Sequence, residues 1–443
     1  MKYETVVGLE IHVELNTSSK MFCRCKNPDL TDKPNTTTCP ICLGLPGALP
    51  YTNQKAIESC IKIALALGCT INKNSFFERK NYFYPDLSKG FQTSQFLHPF
   101  GEHGKLEIET NGVKKTIGIT RVHMEEDTGK LTHSNVNGKQ VSLIDFNRSG
   151  VPLVEIVTEP DIRSGEEAKE FLTKLQRIIR YLNVSDADME KGQMRLEPNI
   201  SLRPIGQKEL AKYKVEVKNI NSFRFVDKAI KFEEKRHEEL LDKNETPVQE
   251  TRGWNEFKNV TVSQRSKEEA HDYRYFPEPD IPPITITDEQ LTIIKSSIPE
   301  LPDGKKERFV KEFNIKPYDA EILSRDHKLA TFFEEAAIIG KSHKIDAQKI
   351  AGFIINKKIN PNDTLPATLI KEITEASKIT IIDEAQLKLT IEKVLSENEK
   401  AVNEFKSGKE NAIMFLLGQT MRKLGIKVDP NIVKNAILNQ LNK

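Results

Sequence analysis

Apolar and polar residues alternate along several short stretches in the first two thirds of the chain. Between Val7 and Leu15 every second residue is apolar, and Glu10, His12 and Glu14 fill the positions between them. Successive side chains of a strand point to opposite faces, so this pattern predicts a strand with its three polar residues on one face. Further strands are predicted within 121–127, 145–157 and 214–223.

A periodicity close to that of an α-helix marks two other segments in the same part of the chain. It predicts helices at 53–68 and 166–183, and the second begins at a capping box formed by Ser164 and Glu167. The proline-rich segment 277–283 cannot continue a helix or a central strand. The segment is therefore predicted to be an extended connection or a boundary between domains.

Beyond residue 293 the pattern becomes helical throughout. Lys, Glu, Ile and Leu recur at helical spacing, and glycines become fewer. The last helix is predicted to begin at Asp429-Pro430, a capping residue followed by proline at the first helical position. The other helices are predicted around 303–314, 319–340, 346–356, 384–405 and 409–424. The chain is therefore predicted to be α+β, with an all-helical region after a mixed body.

Length and composition agree with a globular protein of two or three domains. The chain has 443 residues, of which 37% are hydrophobic and 29% charged. No apolar run approaches the length of a membrane span, and no signal-peptide core follows Met1–Glu4. These features predict a protein of the cytosol or of an equivalent reducing compartment, with no membrane partner.

Charge is unevenly distributed, although the chain as a whole carries only +2. From Ala401 onward, seven Lys or Arg residues stand against three Asp or Glu residues. A basic tail of this kind suits contact with nucleic-acid phosphates, and an ordinary solvated helical face explains it equally well.

Six cysteines are present, and four of them form two closely spaced pairs separated by thirteen residues. The four are Cys23, Cys25, Cys39 and Cys42. Two short pairs of thiolates suit a tetrahedral zinc site, in which the metal replaces the core that the polar loop between them lacks. A metal-free loop, or ordinary buried cysteines, is the alternative. The other two, Cys60 and Cys69, are expected to pack as small hydrophobic residues.

Carboxylates and histidines recur on the predicted strands. On the first strand, Glu10 and His12 can converge on a divalent cation if a second strand contributes. When this strand is taken alone, a polar face open to water is the better explanation. The stretch 121–127 offers a second strand, with Arg121, His123, Glu125 and Asp127 on one face.

Glu155 is the carboxylate that is hardest to explain as a surface residue. It lies within the otherwise apolar stretch 151–157, where an unpaired carboxylate would be costly. Binding to a metal, or pairing with a lysine, would offset the free-energy cost of burying this carboxylate. The chain contains neither of the common glycine-rich phosphate-binding motifs, GxxxxGK[ST] and GxGxxG. A sheet lined with Glu and His that holds Mg²⁺ could bind ATP without such a loop.

Two segments that interleave cations with aromatic or amide residues are candidate substrate contacts. They are 79–92 and 214–223, which suit contacts with phosphates and bases or, equally, structural loops. The chain shows no serine-rich loop and no Cys-His pair that would release ammonia from an amide.

Seven longer motifs resemble, in content and in order, the B subunit of the aspartyl/glutamyl-tRNA amidotransferases. The tail around 408–421 resembles the YqeY-like module at the C-terminus of that family, so the resemblance covers essentially the whole chain. The motifs are YETVVGLEIHVEL, CPICLGLPGALP, RKNYFYPDLSKGFQTSQ, HMEEDTGK, DFNRSGVPLVEIVTEPD, VEVKNINSFRFV and RSKEEAHDYRYFPEPDIPP.

The resemblance implies a fold and an activity. The implied domains are a glutamine-synthetase-like cradle at 1–292 with a zinc knuckle at 22–44, a helical domain at 293–366 and a YqeY-like tRNA-binding tail at 367–443. The implied reaction uses ATP and Mg²⁺ to phosphorylate the side-chain carboxylate of Glu-tRNA(Gln) or Asp-tRNA(Asn). Ammonia from a partner amidase A subunit would then displace the phosphate, in a heterotrimer completed by a small C subunit.

Matching motifs assign residues to these roles. The implied catalytic set is Glu10, His12, Glu125 and Glu155, of which His12, Glu125 and Glu155 would hold magnesium. The implied ATP or acceptor-end contacts are Lys80, Tyr82, Asp86, Lys89, Asn147 and Arg148. The implied zinc ligands are Cys23, Cys25, Cys39 and Cys42.

Two features depart from the family pattern. The stretch Gln193–Asn199 replaces a motif that usually reads more like NMRCDAN, although Glu197 keeps a carboxylate. The region between about 350 and 379 is shorter than in typical relatives. A non-catalytic, zinc-stabilised scaffold that holds tRNA is the alternative function. The archaeal-type subunit specific for tRNA(Gln) is disfavoured, because the chain has no room for its extra domain.

Overall fold

The computed structural model describes residues 2–29, 31–266, 273–377, 383–409, 411–425 and 428–441. The chain forms two compact units, 1–305 and 306–443. The first is α+β, and the described part of the second is helical. Residues 267–272 of the last of the seven motifs, 378–379 of the region predicted to be short, and Glu410, Lys427 and Lys443 of the basic tail lie outside the described residues.

The strands all belong to the first unit. They are β1 Tyr3–Glu14, β2 Thr70–Ile71, β3 Asn74–Ser75, β4 Glu78–Asn81, β5 Phe91–Ser94, β6 Gly101–Thr110, β7 Val113–Glu126, β8 Lys130–Val136, β9 Lys139–Asp145, β10 Pro152–Thr158, β11 Met194–Pro204, β12 Val215–Lys218, β13 Glu250–Asn255, β14 Val260–Ser266, β15 Phe276–Pro277 and β16 Ile284–Thr285. The predicted strand within 145–157 is therefore the end of β9 and the whole of β10, and the one within 214–223 ends at Lys218.

Nine strands form one sheet in the order β14-β13-β12-β11-β1-β10-β7-β6-β2. Neighbouring strands are antiparallel except for β12 and β13. β1 lies at the centre, between β10 and β11. Three smaller sheets accompany it, β15-β4-β5, β16-β3 and β8-β9.

The first unit also contains α1 Gln54–Ala66, α2 Gly165–Tyr181, α3 Phe223–Leu241 and α4 Asp288–Ser296. The odd-numbered residues of β1, such as Leu9 and Ile11, are buried in one apolar cluster with Ile61 of α1, Phe171 of α2 and Val226 of α3. Helices therefore cover one face of the central strand, and the even-numbered residues of β1 lie on the other face.

The helices predicted at 53–68 and 166–183 are confirmed as α1 and α2, whereas α3 and α4 have no counterpart among the predicted helices. The capping box of α2 is only half present. The Ser164 hydroxyl accepts from the Glu167 N–H (3.2 Å), but the Glu167 carboxylate accepts from the N–H of Arg163 (2.8 Å), the residue before the cap.

The remaining helices begin with α5, which starts at the end of the first unit and continues into the second. They are α5 Pro302–Phe313, α6 Pro317–Leu323, α7 His327–Ser342, α8 Ala347–Lys357, α9 Pro366–Ser377, α10 Glu384–Glu397, α11 Glu399–Lys406, α12 Ala412–Leu424 and α13 Pro430–Leu441. The described residues of the second unit form two apolar clusters. One surrounds Phe309, Phe333 and Ile350, and the other surrounds Leu416 and Ile437. None of the described helices is long and apolar enough to span a bilayer.

Three helix predictions need correction. The helix predicted at 319–340 is two helices, because Asp326 leaves the helical conformation and caps α7 through a bond from the Leu329 N–H (2.9 Å). The helix predicted at 384–405 is likewise divided at Asn398, whose side chain donates to the Val394 carbonyl (2.8 Å). The helix predicted at 409–424 begins only at Ala412.

Gly165, the first residue of α2, offers a test of the packing between α2 and α3. A Cβ at this position would lie 2.4 Å from Asp227 Oδ1 and 2.8 Å from Asp227 Cα. Gly165→Ala should therefore lower the free energy of unfolding of the first unit by about 1–3 kcal/mol, measured by chemical denaturation.

Gly304→Ala is the matched control, because Gly304 also lies in a helix and its nearest neighbour is the flexible Glu300 side chain at 3.4 Å. Alanine favours helix, so this variant should be neutral or slightly more stable. Equal destabilisation by the two substitutions would contradict the packing argument.

Candidate functional site

Three neighbouring strands bring predicted catalytic residues onto the face of the sheet away from α1, α2 and α3. In the register of β1 with β10, His12 lies opposite Glu155, and in that of β10 with β7, Glu155 lies opposite His123. Glu125 follows His123 by two residues and so shares its face. The antiparallel register thus places His12, Glu125 and Glu155 side by side.

These three side chains approach one another closely. His12 Nε2 lies 3.5 Å from Glu125 Oε1 and 3.5 Å from Glu155 Oε2, and both carboxylates are buried. Burial acts to lower the pKa of His12, but the hydrogen bond to Glu155 and the two carboxylate charges raise it to about 9. Burial acts to raise the pKa of Glu155, yet the two histidines, His123 and His12, hold it well below its ordinary value.

The same group fits a small divalent cation. One ligand atom from each of His12, Glu125 and Glu155 lies within 4.8 Å of the others. Opposite ligands of an octahedral Mg²⁺ are about 4.2 Å apart, so modest side-chain movement suffices. An ionised Glu155 is ready to bind, and binding a cation through His12 would release the proton that the carboxylates hold there.

A second group of carboxylates lies beside the first, on β1, β11 and β12. Oxygens of Glu10, Glu197 and Glu216 lie within 4.8 Å of one another. Lys218 Nζ donates to Glu197 (2.8 Å) and lies 3.3 Å from Glu216, and Asn199 donates to Glu10 (2.9 Å). Burial acts to lower the pKa of Lys218, but Glu197 and Glu216 raise it, so the ammonium group offsets part of the negative charge.

Both groups line one cavity of about 300 Å³. Lys80 reaches it from β4, with Nζ 3.9 Å from Glu125 Oε2. Burial acts to lower the pKa of Lys80, but Glu125 and Glu155 raise it well above its ordinary value. The lining residues are Glu10, His12, Lys80, Tyr82, Gln92, Glu125, Asp127, Thr128, Leu153, Glu155, Arg195, Glu197, Glu216, Lys218 and Tyr273.

Asp127 is held in the cavity wall by two arginines. Arg195 Nη2 donates to Asp127 Oδ2 (2.6 Å), and Arg148 Nε lies 3.4 Å from the same atom. Burial acts to raise the pKa of Asp127, yet the two guanidinium groups lower it to about 2. Arg148 also donates to the carbonyls of Thr128 (3.1 Å) and Gly129 (2.8 Å), so it lies behind the cavity wall.

The structure divides the six predicted ATP or acceptor-end residues. Lys80 and Tyr82 line the cavity, whereas Asp86, Lys89, Asn147 and Arg148 do not. Lys89 forms an ion pair with Glu126. Asn147 Oδ1 accepts from the N–H of Thr37 (2.9 Å), so this side chain holds the cysteine-bearing loop.

The four paired cysteines converge. Their sulfur atoms all lie within 4.8 Å of one another, and those of Cys39 and Cys42 are 3.8 Å apart. A tetrahedral zinc ion with bonds of about 2.3 Å needs sulfur separations of about 3.8 Å. Cys23, Cys25, Cys39 and Cys42 therefore fit zinc in both chemistry and spacing. Cys60 and Cys69 are buried with apolar neighbours, as expected.

Lys20 is fully buried against this cluster. Its Nζ donates to Cys42 Sγ (3.6 Å) and to the Thr37 carbonyl (2.8 Å). A hydrogen bond with Cys23, the N–H of Cys39 and the charge of Lys20 outweigh burial and lower the pKa of Cys42 to about 5. Four thiolates around zinc leave a net negative charge, which a buried ammonium group offsets.

The cysteine loop also packs against segments that flank the cavity. The Cys42 carbonyl accepts from the hydroxyls of Ser88 (2.8 Å) and Ser149 (3.2 Å). Gly44 has φ +67°, and a Cβ there would lie 2.6 Å from Lys89 Cγ, so only glycine permits this approach. The loop thereby contacts the segment that follows Tyr82 and the segment around Ser149, whose neighbour Gly150 donates its N–H to the Asp127 carbonyl (2.9 Å).

Several lining residues were not among the predicted site residues. They are Gln92, Asp127, Thr128, Leu153, Arg195, Glu197, Glu216, Lys218 and Tyr273. A signal existed for Glu216 and Lys218, because they alternate with valine in the segment predicted as a strand. Arg195 and Glu197 reach the site through the pairing of β11 with β1, a long-range relation that no local pattern contains.

Comparison with known proteins agrees with these features. Residues 5–292 match the family described as the GatB/GatE catalytic domain, and residues 325–441 match the one described as the GatB domain. The chain is 44% identical over 480 residues to the B subunit of the aspartyl/glutamyl-tRNA(Asn/Gln) amidotransferase of Thermoanaerobacter pseudethanolicus, covering 100% of both chains. It is 44% identical over 478 residues to the protein of the same name from Brevibacillus brevis, covering 100% of this chain and 99% of that one.

The match over residues 5–292 defines the class, that of the GatB/GatE catalytic domains. The chain belongs to the family of aspartyl/glutamyl-tRNA(Asn/Gln) amidotransferase B subunits. The resemblance predicted from the seven motifs is thereby confirmed. The alignment of 480 residues exceeds the 443 of this chain and so includes gaps, although the shortening predicted near 350–379 stays a prediction.

The cysteine cluster can be tested by metal analysis of the purified chain. We expect a single bound zinc ion, and Cys39→Ser should abolish its retention after dialysis, because three thiolates and a hydroxyl bind zinc far more weakly than four thiolates.

Cys60→Ala is the matched control, since Cys60 is buried but lies outside the cluster. It should retain zinc at the level of the unsubstituted chain. Equal zinc content in the Cys39 variant would rule out the assignment of these ligands.

Proposed function

We propose that this chain is the B subunit of a heterotrimeric tRNA-dependent amidotransferase. Residues that line its cavity would catalyse the transfer of the γ-phosphate of ATP to the side-chain carboxylate of Glu-tRNA(Gln) or Asp-tRNA(Asn). One observation carries the proposal: the His12–Glu125–Glu155 group and the Glu10–Glu197–Glu216 group line the same cavity. The relatives support it, because they are named as B subunits of an aspartyl/glutamyl-tRNA(Asn/Gln) amidotransferase.

The proposed reaction has two steps. A carboxylate oxygen of the aminoacyl group attacks the γ-phosphorus of ATP, the bond from that phosphorus to the β–γ bridging oxygen breaks, and ADP leaves. Ammonia then attacks the acyl carbon, phosphate leaves with the electrons of the C–O bond, and the nitrogen loses a proton to give the amide. The acyl phosphate between these steps must be kept from water.

The cavity residues have separate roles in this scheme. Mg²⁺ held by His12, Glu125 and Glu155 would neutralise charge on the phosphates. Lys80 and Lys218 enter the lining from β4 and β12 and supply fixed positive charge for a phosphate or a carboxylate. Their raised pKa values keep both groups protonated at neutral pH.

Partners would supply what this chain lacks. The sequence offers no nucleophile for releasing ammonia from glutamine, so a partner amidase A subunit would provide it and a small C subunit would complete the complex. The tail at 367–443 would hold the tRNA body. Along the chain it follows a glutamine-synthetase-like cradle at 1–292 and a helical domain at 293–366. We place the protein in the cytoplasm of a bacterial-type cell.

The direct test is a reconstitution. The chain, alone and with its A and C partners, is incubated with glutamine, Mg²⁺, radiolabelled ATP and either Glu-tRNA(Gln) or Asp-tRNA(Asn). We expect ADP release that requires the misacylated tRNA and amidation that requires the partners. Absence of ADP release with both tRNAs would favour the alternative, a zinc-stabilised scaffold that holds tRNA for catalysis elsewhere.

Glu125→Ala should abolish ATP-dependent amidation, with a loss of at least about a hundredfold, because it removes a carboxylate from the cation-binding group. Complex assembly and tRNA binding, measured by gel filtration and filter binding, should remain nearly unchanged.

Glu109→Gln is the matched control, since Glu109 lies exposed on the neighbouring strand β6 of the same sheet. It should leave the rate of amidation within about twofold. Retention of activity by the Glu125 variant would remove the catalytic assignment.

A further inference from the structure

Two adjacent aromatic side chains stand exposed beside the cavity. Tyr82 lines the cavity, and the next two residues, Phe83 and Tyr84, are 89% and 55% exposed. Consecutive Cα atoms are about 3.8 Å apart, so both rings begin close to the cavity wall. Neither ring has a ring–ring or cation–π contact with the described residues.

The loop that carries these rings is bonded to other segments before the rings and forms a hydrogen-bonded turn after them. Before it, the Asn81 N–H donates to the Tyr273 carbonyl (2.9 Å), and the Tyr82 hydroxyl donates to Gln92 Oε1 (3.1 Å). After it, the Leu87 N–H donates to the Tyr84 carbonyl (3.1 Å). A loop held in this way presents its rings without a large loss of entropy on binding.

Further along, the same loop is joined to the rest of the unit. The Asp86 carbonyl accepts from the Gly129 N–H (2.9 Å), next to the cavity wall at Thr128. The Ser88 hydroxyl donates to the Cys42 carbonyl (2.8 Å). The backbone at Cys42 and the turn between β7 and β8 therefore both hold the segment that follows the rings.

We propose that Phe83 and Tyr84 form a platform on which the 3′-terminal adenosine of the aminoacyl-tRNA stacks. The proposal rests on the proposed function, since it takes the substrate carboxylate to lie in the cavity. Only a few carbon–carbon bonds join that carboxylate to the ester on the terminal ribose. The terminal nucleoside must therefore lie at the cavity mouth, and aromatic faces are the common means of holding an unpaired base.

ATP brings a second adenosine, and the structure offers it a different place. A neighbouring cavity of about 370 Å³ shares Glu10 with the first, and its lining includes Gly8 of β1, Asn199 of β11 and Tyr213. It is large enough for a nucleoside whose phosphates reach the carboxylate groups. Phe83 and Tyr84 instead follow Tyr82 of the other wall and face solvent, the direction from which the end of a macromolecule arrives.

The test measures binding rather than turnover. The assembled complex of the chain with its A and C partners is titrated with deacylated tRNA(Gln) carrying an intact CCA end, and with the same tRNA trimmed to CC. We expect the unsubstituted complex to bind the intact tRNA about tenfold more tightly, as stacking of one base on an aromatic ring provides. The Phe83→Leu, Tyr84→Leu double variant should reduce this ratio to near one.

Phe83→Trp keeps a stacking ring and should preserve the ratio, which separates loss of stacking from damage to the loop. Phe257→Ala is the matched control, because Phe257 is 90% exposed in the same unit, between β13 and β14. It should leave the ratio unchanged. The KM for ATP should stay within about twofold in every variant.

Two results would overturn the proposal. They are a ratio near one in the unsubstituted complex, or an unchanged ratio in the double leucine variant. An unchanged ratio together with a rise in the KM for ATP in that variant would assign the platform to the nucleotide. Failure of the proposed function would appear differently, as absence of tRNA-dependent ADP release in the unsubstituted complex.

Discussion

The register of β1 between β10 and β11 is the constraint on which the site depends. It sets His12 opposite Glu155 on one side and Glu10 opposite Glu197 on the other. A slip of one residue would turn these side chains into the apolar layer beneath α2 and would bring Ile11 to the cavity. The burial of the apolar residues on one face of β1 therefore also determines which side chains of β1 line the cavity. A change of register would move the side chains of both faces together.

The cysteine loop acts on the site indirectly. It contributes no lining residue, yet it receives hydrogen bonds from Ser88 and Ser149, and its Thr37 N–H donates to Asn147. These contacts hold the two segments behind Tyr82 and Asp127. Asn147 stood among the predicted substrate contacts because it lies in a recognisable motif. Its observed partners show that a family motif can carry residues that support a site from outside the cavity.

Local patterns were enough to predict β1, α1, α2 and the carboxylates that alternate with apolar residues. The spacing of apolar residues over a short stretch indicates both the type of element and the face on which each residue lies. The sequence could not place Arg195 and Glu197, since their proximity to His12 and Glu10 depends on a strand pairing across nearly two hundred residues. The sequence pattern also predicted one continuous helix across Asp326 and another across Asn398. At each of these residues a side-chain hydrogen bond ends the helix although the apolar periodicity continues.

The cavity has an electrostatic consequence for folding. Its lining contains six carboxylates, Glu10, Glu125, Asp127, Glu155, Glu197 and Glu216, against four cationic side chains, Lys80, Arg195, Lys218 and His12, whose pKa is raised to about 9. Folding must gather this surplus negative charge at the middle of the main sheet, where water screens it poorly. Cations that bind only the folded chain offset that repulsion. The site without a bound cation is thus a locally frustrated region of the protein, and a cation bound there for the proposed chemistry would also stabilise the fold.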